Sequence, residues 1–213
     1  MKQAPAMSYI STNPEHSEQR IGELIHTVRQ GSSPAIDGEV LANLLELCHI
    51  CGLTKKELIN LRIGDVISKG VMRQRIRLGR NEDPPLRGTI AENLIERHYR
   101  YLKTKGYSGR SNSPLFPAKT LKTFYDPSNL QKHLEKFYRE FWGRKCLSSI
   151  RQSTICRHYD ELKSMGLSPE QCLKRTAIFA GHKTGTKEYP DYRHTENVLR
   201  RLQPVNHLSD DEE

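Results

Sequence analysis

Apolar residues recur every three to four positions along most of this chain, and the breaks in that rhythm mark where helices stop. Residues 1–16, with Pro5, Ser8, Ser11, Asn13 and Pro14, carry no periodic apolar face and are expected to form a mobile leader. A first helix is predicted from Ser17 as N-cap through Ile21, Leu24, Ile25 and Val28, with Gly31 as its stop. Asp37 caps a second, whose apolar positions Val40, Leu41, Leu44, Leu45, Leu47 and Cys48 exceed one narrow stripe. That helix is expected to be central and buried, and Gly52 ends it. Thr54 and Glu57 then form a capping box that opens a short helix expected to end near Gly64.

From Val66 to Ile90 the period shortens toward two, with Val71, Arg73, Arg75 and Arg77 alternating against Met72, Gln74, Ile76 and Leu78 and a slip of parity at Gln74. This predicts a strand turning at residues 79–83 and returning through Leu86, a small antiparallel sheet with a solvated, arginine-rich edge of Arg73, Arg75, Arg77 and Arg80. Further helices are predicted from Ala91 to Lys105, Asn129 to Trp142, Cys146 to Met165, Pro169 to about Ala180, and Thr195 to Leu202. Leu115-Phe116-Pro117 reads as a short extended piece, and Ser168-Pro169 as a cap with proline in the first turn. The fold class is mostly α with a small antiparallel sheet. One domain over residues 17–203 is expected, followed by an acidic tail over 204–213.

Charge adds a partner class. The net charge is +9, and removing the terminal acids Asp210, Asp211, Glu212 and Glu213 leaves a body of +13. A basic body points to a polyanion, nucleic acid being the commonest. No apolar run reaches the ~18 residues a membrane span requires, and no secretion signal opens the chain, so an intracellular, nucleoid-associated protein is expected. The odd set Cys48, Cys51, Cys146, Cys156 and Cys172 fits reduced thiols, and Cys48-x-x-Cys51 has no second pair at zinc spacing; neither metal nor cofactor is expected.

Four stretches then point one way. Gly52-Leu53-Thr54-Lys55-Lys56-Glu57-Leu58 runs into Leu61-Arg62 and Asp65-Val66. Leu115-Phe116-Pro117 follows, then Ser148-Ser149-Ile150-Arg151, and last Gly181-His182 with Tyr192-Arg193-His194 ten residues on. In order and spacing, over roughly residues 36–202, they resemble the catalytic domain of the tyrosine recombinase (phage integrase) family. The resemblance implies a phosphoryl transfer in which a tyrosine attacks a DNA phosphate, aided by two arginines, a histidine before the second arginine, and a hairpin lysine as acid. A phenol of pKa ~10 needs such cations around it to react at neutral pH.

Carried over by position, Arg151, His182 and Tyr192 are retained. Thr54 stands at the first arginine and Ser148 at the histidine, and no lysine occurs between Lys69 and Lys103. Arg77 or Arg80 falls where the hairpin acid would be, but a guanidinium is a poor proton donor. Lys55 is offset by one residue from the missing arginine and is expected to face elsewhere. With Arg73, Arg75, Arg77, Arg80, Lys183 and His194 it completes the candidate phosphate contacts.

Each residue also has an ordinary reading. Tyr192 serves as a packed or exposed tyrosine, with Tyr189 as an alternative nucleophile; Arg151 pairs with Glu57 or Asp160; His182 starts a helix or caps a turn; His158 and His194 are solvated. The leading reading is a double-stranded-DNA-binding protein acting in integration or recombination with impaired or no cleavage, alone, as a homo-oligomer, or beside a partner recombinase. An active enzyme through Tyr192 and a protein-interaction module are the alternatives. About 35 residues precede the match, too few for the N-terminal helical domain that usually closes the family's clamp on DNA, so weak, salt-sensitive binding is expected.

Overall fold

The computed structural model describes residues 18–31, 37–80, 82–118, 123–138, 146–182, 185 and 192–200, the side chains of residues 136–138 and 146 excepted. The expectations for Ser17, Trp142, Lys183, Tyr189, Leu202, the leader and the tail lie outside these residues.

The helices are α1 (Glu18–Gln30), α2 (Gly38–Cys51), α3 (Lys55–Asn60), α4 (Ile63–Val66), α5 (Ile90–Thr104), α6 (Pro127–Tyr138), α7 (Cys146–Ser164), α8 (Pro169–Phe179) and α9 (Arg193–Arg200), with β1 (Ile67–Ser68) and β2 (Val71–Met72) between α4 and α5. The protein is thus mostly helical with a small two-stranded antiparallel sheet.

α2 is central because its sequence is apolar nearly all round. It packs on α1, α5 and α7, and Leu41, Leu44, Leu45 and Leu47 are all fully buried. Its ends are where the sequence sets them. The Asp37 carboxylate accepts from the amides of Glu39 and Val40, and Gly52 closes the helix in the left-handed region at φ 60°. A side chain at Gly52 would also approach the Phe179 ring to 3.0 Å, so that residue must be small as well as left-handed.

The polar members of this core are paired. His98 on α5 is wholly buried, with Nε2 2.8 Å from the Leu115 carbonyl and Nδ1 3.1 Å from the Asn43 amide nitrogen. Since a carbonyl only accepts, Nε2 carries the proton and Nδ1 accepts from Asn43. The imidazole also lies 4.7 Å from the Phe116 ring, so one side chain fixes the Leu115-Phe116 segment against α2. A second cluster joins α7, α8 and α9 through Ile155, Tyr159, Cys172, Ala180, Val198 and Leu199. Cys48, Cys51, Cys156 and Cys172 are buried free thiols, and burial pushes the first three up to about 12.

Two expectations need correction. The helix opened by the Thr54 box stops at Asn60 instead of near Gly64, because Leu61 turns extended (ψ 130°), Arg62 bridges to Pro114, and Leu61 accepts a hydrogen bond from the Leu115 amide. A separate one-turn helix, α4, follows. The expected antiparallel return through Leu86 is present, with Arg75 bridging to Pro85, but the two-stranded sheet itself forms around an additional, earlier turn at Lys69-Gly70 (φ 51° and 79°), in the register Ile67 to Met72 and Ser68 to Val71. The parity slip at Gln74 has a physical origin in this arrangement. Arg73 still bonds back to Val66, but Gln74 and Ile76 pair on the other side, with Leu86 and Pro84. The Arg77 amide then bonds back to Asp65 O, so the segment alternates between two backbone partners.

Candidate functional site

Three helix ends and one turn assemble the candidate site. α2 ends at Gly52; α8 ends at Ala180; α7 brings Ser148, Arg151 and Gln152; the Gly181-His182 turn faces α9.

Arg151 is the centre. Its Nε donates to Gly52 O at 3.0 Å, and its Nη2 donates to Ala180 O at 2.7 Å and to His182 Nε2 at 3.2 Å. Both carbonyls lie at helix C-termini, where the backbone dipoles leave partial negative charge for a cation. Its guanidinium therefore binds no carboxylate among the described residues, so the expected alternatives of Glu57 or Asp160 as partner do not hold. Nη1 has no hydrogen-bond partner among the described residues. Burial, then the nearby Arg80 charge, lowers the Arg151 pKa from its ordinary value.

His182 is fixed from both ring nitrogens. A guanidinium only donates, so Nε2 accepts from Arg151, and Nδ1 carries the proton and donates to Thr195 Oγ1 at 2.9 Å. It starts no helix, but it does act as a cap, as one of its expected readings had it: its backbone amide donates to Ala177 O at 2.9 Å and, with left-handed Gly181, closes the end of α8. Burial first, then the charges of Arg151, His194 and Arg80, push its pKa down to about 3, so the ring is neutral at physiological pH. His194, exposed at the start of α9, meets it edge-on at 4.3 Å between ring centres.

These groups border a cleft of about 600 Å³ lined by Thr54, Lys55, Ser148, Arg151, Gln152 and His194, with Gln131, Glu135, Leu147 and Val198 completing its walls. Thr54 and Ser148, which stand where the resemblance would place an arginine and a histidine, thus border the same space as Arg151. So does Lys55, the first residue of α3, which corrects the expectation that it faces elsewhere. Glu135 is the lone carboxylate residue of the lining among the described residues. Tyr192 is half-buried, its carbonyl accepts from the Glu196 amide at 3.0 Å in the first turn of α9, and it is not among the cleft walls. No hydrogen bond holds its hydroxyl among the described residues.

Of the hairpin arginines, Arg75 and Arg77 are exposed as the strand pattern predicts. Arg75 donates to Asp83 O, Arg77 to the Asp65 carboxylate, and Arg73 to Gly64 O. These three border a shallow groove of about 530 Å³ that shares no residue with the Arg151 cleft. Arg80 departs from the expected solvated edge. Its side chain is only 7% exposed. Nε and Nη2 take both oxygens of Glu57 at 2.6 and 2.5 Å, and Nη1 donates to Phe179 O at 2.8 Å. The same Glu57 carboxylate accepts from the Thr54 amide and hydroxyl, at 2.7 and 2.8 Å. Burial alone would raise the Glu57 pKa, but the bonds from Arg80 and Thr54 outweigh it and hold the carboxyl below its usual range. A guanidinium therefore does reach the neighbourhood of position 54, fully paired and from a different part of the chain. No local sequence signal foretells this, since Glu57 and Arg80 are 23 residues apart.

No protein-family model matches the sequence, and no curated protein does. Among solved structures the chain superposes on the crystal structure of XerA recombinase with a TM-score of 0.57 at 14% identity, over 87% of this chain and 61% of that one. The fold is recombinase-like. At that identity the likeness is one of architecture, and this chain spans about 61% of the length of the structure it matches. No helix among the described residues is long and apolar enough to cross a membrane, and none of their His, Cys, Asp and Glu side chains gather into a metal-holding group.

Proposed function

We propose that residues 17–203 form a double-stranded-DNA-binding unit with the tyrosine-recombinase fold, which acts in DNA integration or site-specific recombination with impaired or no strand cleavage of its own. The observation that carries this reading is the state of Arg151. It is a half-buried guanidinium held on one side by helix-end carbonyls and a neutral imidazole, with no carboxylate partner and no hydrogen bond at Nη1 among the described residues, and it lines the same cleft as Lys55 and His194. A phosphate oxygen suits that position, because charge-assisted bonds from guanidinium to phosphate are strong and short.

Cleavage asks for more charge than the cleft holds. Thr54 and Ser148 carry none, Arg80 is neutralised by Glu57, and His182 is neutral and occupied on both nitrogens. Removing one preorganised donor costs on the order of a hundred- to a thousand-fold in rate, and two are replaced here. A second copy of this chain or a partner recombinase on the same DNA would supply the remaining grip, and a partner recombinase would supply the chemistry.

Equilibrium binding to duplex DNA across a salt series tests the first half. Arg151→Met and Lys55→Met are each expected to weaken binding and to lower the salt slope by about 1. Binding unchanged in both variants would favour a protein-interaction module. A nicked suicide duplex tests the second half. A covalent protein–DNA adduct that vanishes in Tyr192→Phe would replace this reading with an active recombinase using Tyr192 as nucleophile.

A further inference from the structure

Arg80 resembles a DNA contact in the sequence, yet its side chain sits inside the protein at a junction of three segments. It emanates from the loop after the hairpin, where the Asp83 carboxylate accepts from its backbone amide at 3.2 Å. It grips both oxygens of Glu57 on α3 and the Phe179 carbonyl at the end of α8. Its next neighbour along the chain there is Ala180, whose carbonyl is held by Arg151. Two cations from distant parts of the sequence thus hold consecutive carbonyls of α8. One residue further on, Gly181 lies directly against the Arg80 side chain, where a Cβ would meet Nε at 2.7 Å and Cζ at 3.0 Å. Gly181 is left-handed at φ 66°, and that bend delivers His182 to Arg151 and Thr195.

We infer that Arg80 is a positioning residue of the Arg151 cleft: held by Glu57, it fixes the end of α8 and the Gly181 bend, and so sets the places of Ala180 O and His182 around Arg151. The inference rests on reading the cleft as a phosphate site. Arg80 has no role as a direct phosphate ligand in it, because its fork is occupied and its side chain is shielded. The sign of one substitution separates positioning from charge. Glu57→Gln keeps the capping box with Thr54, since glutamine serves at that position as glutamate does, but removes the ion pair that anchors Arg80. By charge alone it makes the protein more positive and should tighten DNA binding. By positioning it should weaken it.

The experiment measures binding of the full chain to one short duplex at fixed low salt for wild type, Glu57→Gln, Arg80→Met, Arg151→Met and the double variant Arg80→Met/Arg151→Met. Side-chain NMR of His182 is recorded alongside. Arg80→Met and Glu57→Gln are each expected to weaken binding on the order of tenfold, and the double variant to bind no worse than Arg151→Met, as coupled neighbours do. The His182 ring should lose its fixed Nδ1–H tautomer in both single variants. Arg80→Lys, which reaches Glu57 but cannot also take Phe179 O, should recover part of the affinity. Tighter binding by Glu57→Gln, additive losses in the double variant, or an unmoved His182 signature would each overturn the inference. If Arg80→Met does not fold, Glu57→Gln decides alone by its sign. Unchanged binding by Arg151→Met instead refutes the phosphate reading, and does so independently of Arg80.

Discussion

Mild acid should destabilise this protein through its histidines, and His98 gives the cleanest case. It is wholly buried and neutral, donating to Leu115 O and accepting from Asn43, and burial pushes its pKa down to about 4 from an ordinary 6.5. A histidine whose folded pKa is depressed contributes stability that is intact above the unfolded value and drains away as pH falls toward the folded one. Between neutral pH and about pH 5 the unfolded chain takes up a proton at this site that the folded chain refuses, which costs about 2 kcal/mol of stability. His49 and His158, both held near 4 by burial first and the Arg157 charge second, act with the same sign in the same window. Carboxylates held low, such as Glu57 and Glu18, lose their contribution only below the ordinary carboxylate range, so they leave this window to the histidines. The assay is a set of urea denaturation curves at about pH 7.5, 6 and 5 for wild type and His98→Gln. At the highest pH the variant should be less stable by about 1–3 kcal/mol, because Asn43 or Leu115 loses its partner. That gap should narrow by about 2 kcal/mol at pH 5, where the wild type is paying to keep His98 neutral. A gap that stays constant across the series would refute the assignment of His98 as a buried neutral ring.

Other substitutions follow from geometry already described. Gly181→Ala adds a methyl that must displace the Arg80 side chain and occupies a left-handed backbone position, so it should lower thermal stability by at least about 1–2 kcal/mol and weaken DNA binding together. Gly52→Ala strains the same kind of backbone at the α2 terminus and crowds the Phe179 ring, with a similar loss seen in a thermal melt. Thr54→Ala should cost about 1 kcal/mol by removing the cap of α3, whereas Thr54→Ser should be close to neutral; equal melting temperatures for the two would show that the cap is unimportant. Leu44→Ala, in the fully buried face of α2, should destabilise by about 2–5 kcal/mol, measured by denaturant unfolding.

The parts of the fold that sequence discloses are those governed by neighbours in the chain. Asp37, Gly52, Thr54-x-x-Glu57 and Ser168-Pro169 announce helix ends because capping chemistry spans three or four residues, and each end lies where those residues put it. The burial of α2 is equally plain, since no single stripe accommodates its apolar positions. The early turn is less so: Lys69 is an unusual residue for positive φ, and it sits in the two-residue turn that joins β1 to β2. The candidate site is legible as a set of positions and illegible as a set of partners. That Arg151, Thr54 and Ser148 share a cleft follows the motif order. That Glu57 belongs to Arg80 and leaves Arg151 to backbone carbonyls depends on contacts across 23 and 99 residues, which no local pattern encodes.

The carbonyl cradle around Arg151 also bears on how relatives of this chain should be read. A guanidinium that fastens the tails of α2 and α8 together is under selection for folding, whatever becomes of the chemistry. Thr54 is constrained in the same way, because its capping box opens α3, whereas the exposed Ser148 holds no helix end among the described residues. The presence of Arg151 is accounted for by architecture alone, and counting such an arginine does not establish turnover in a chain of this fold.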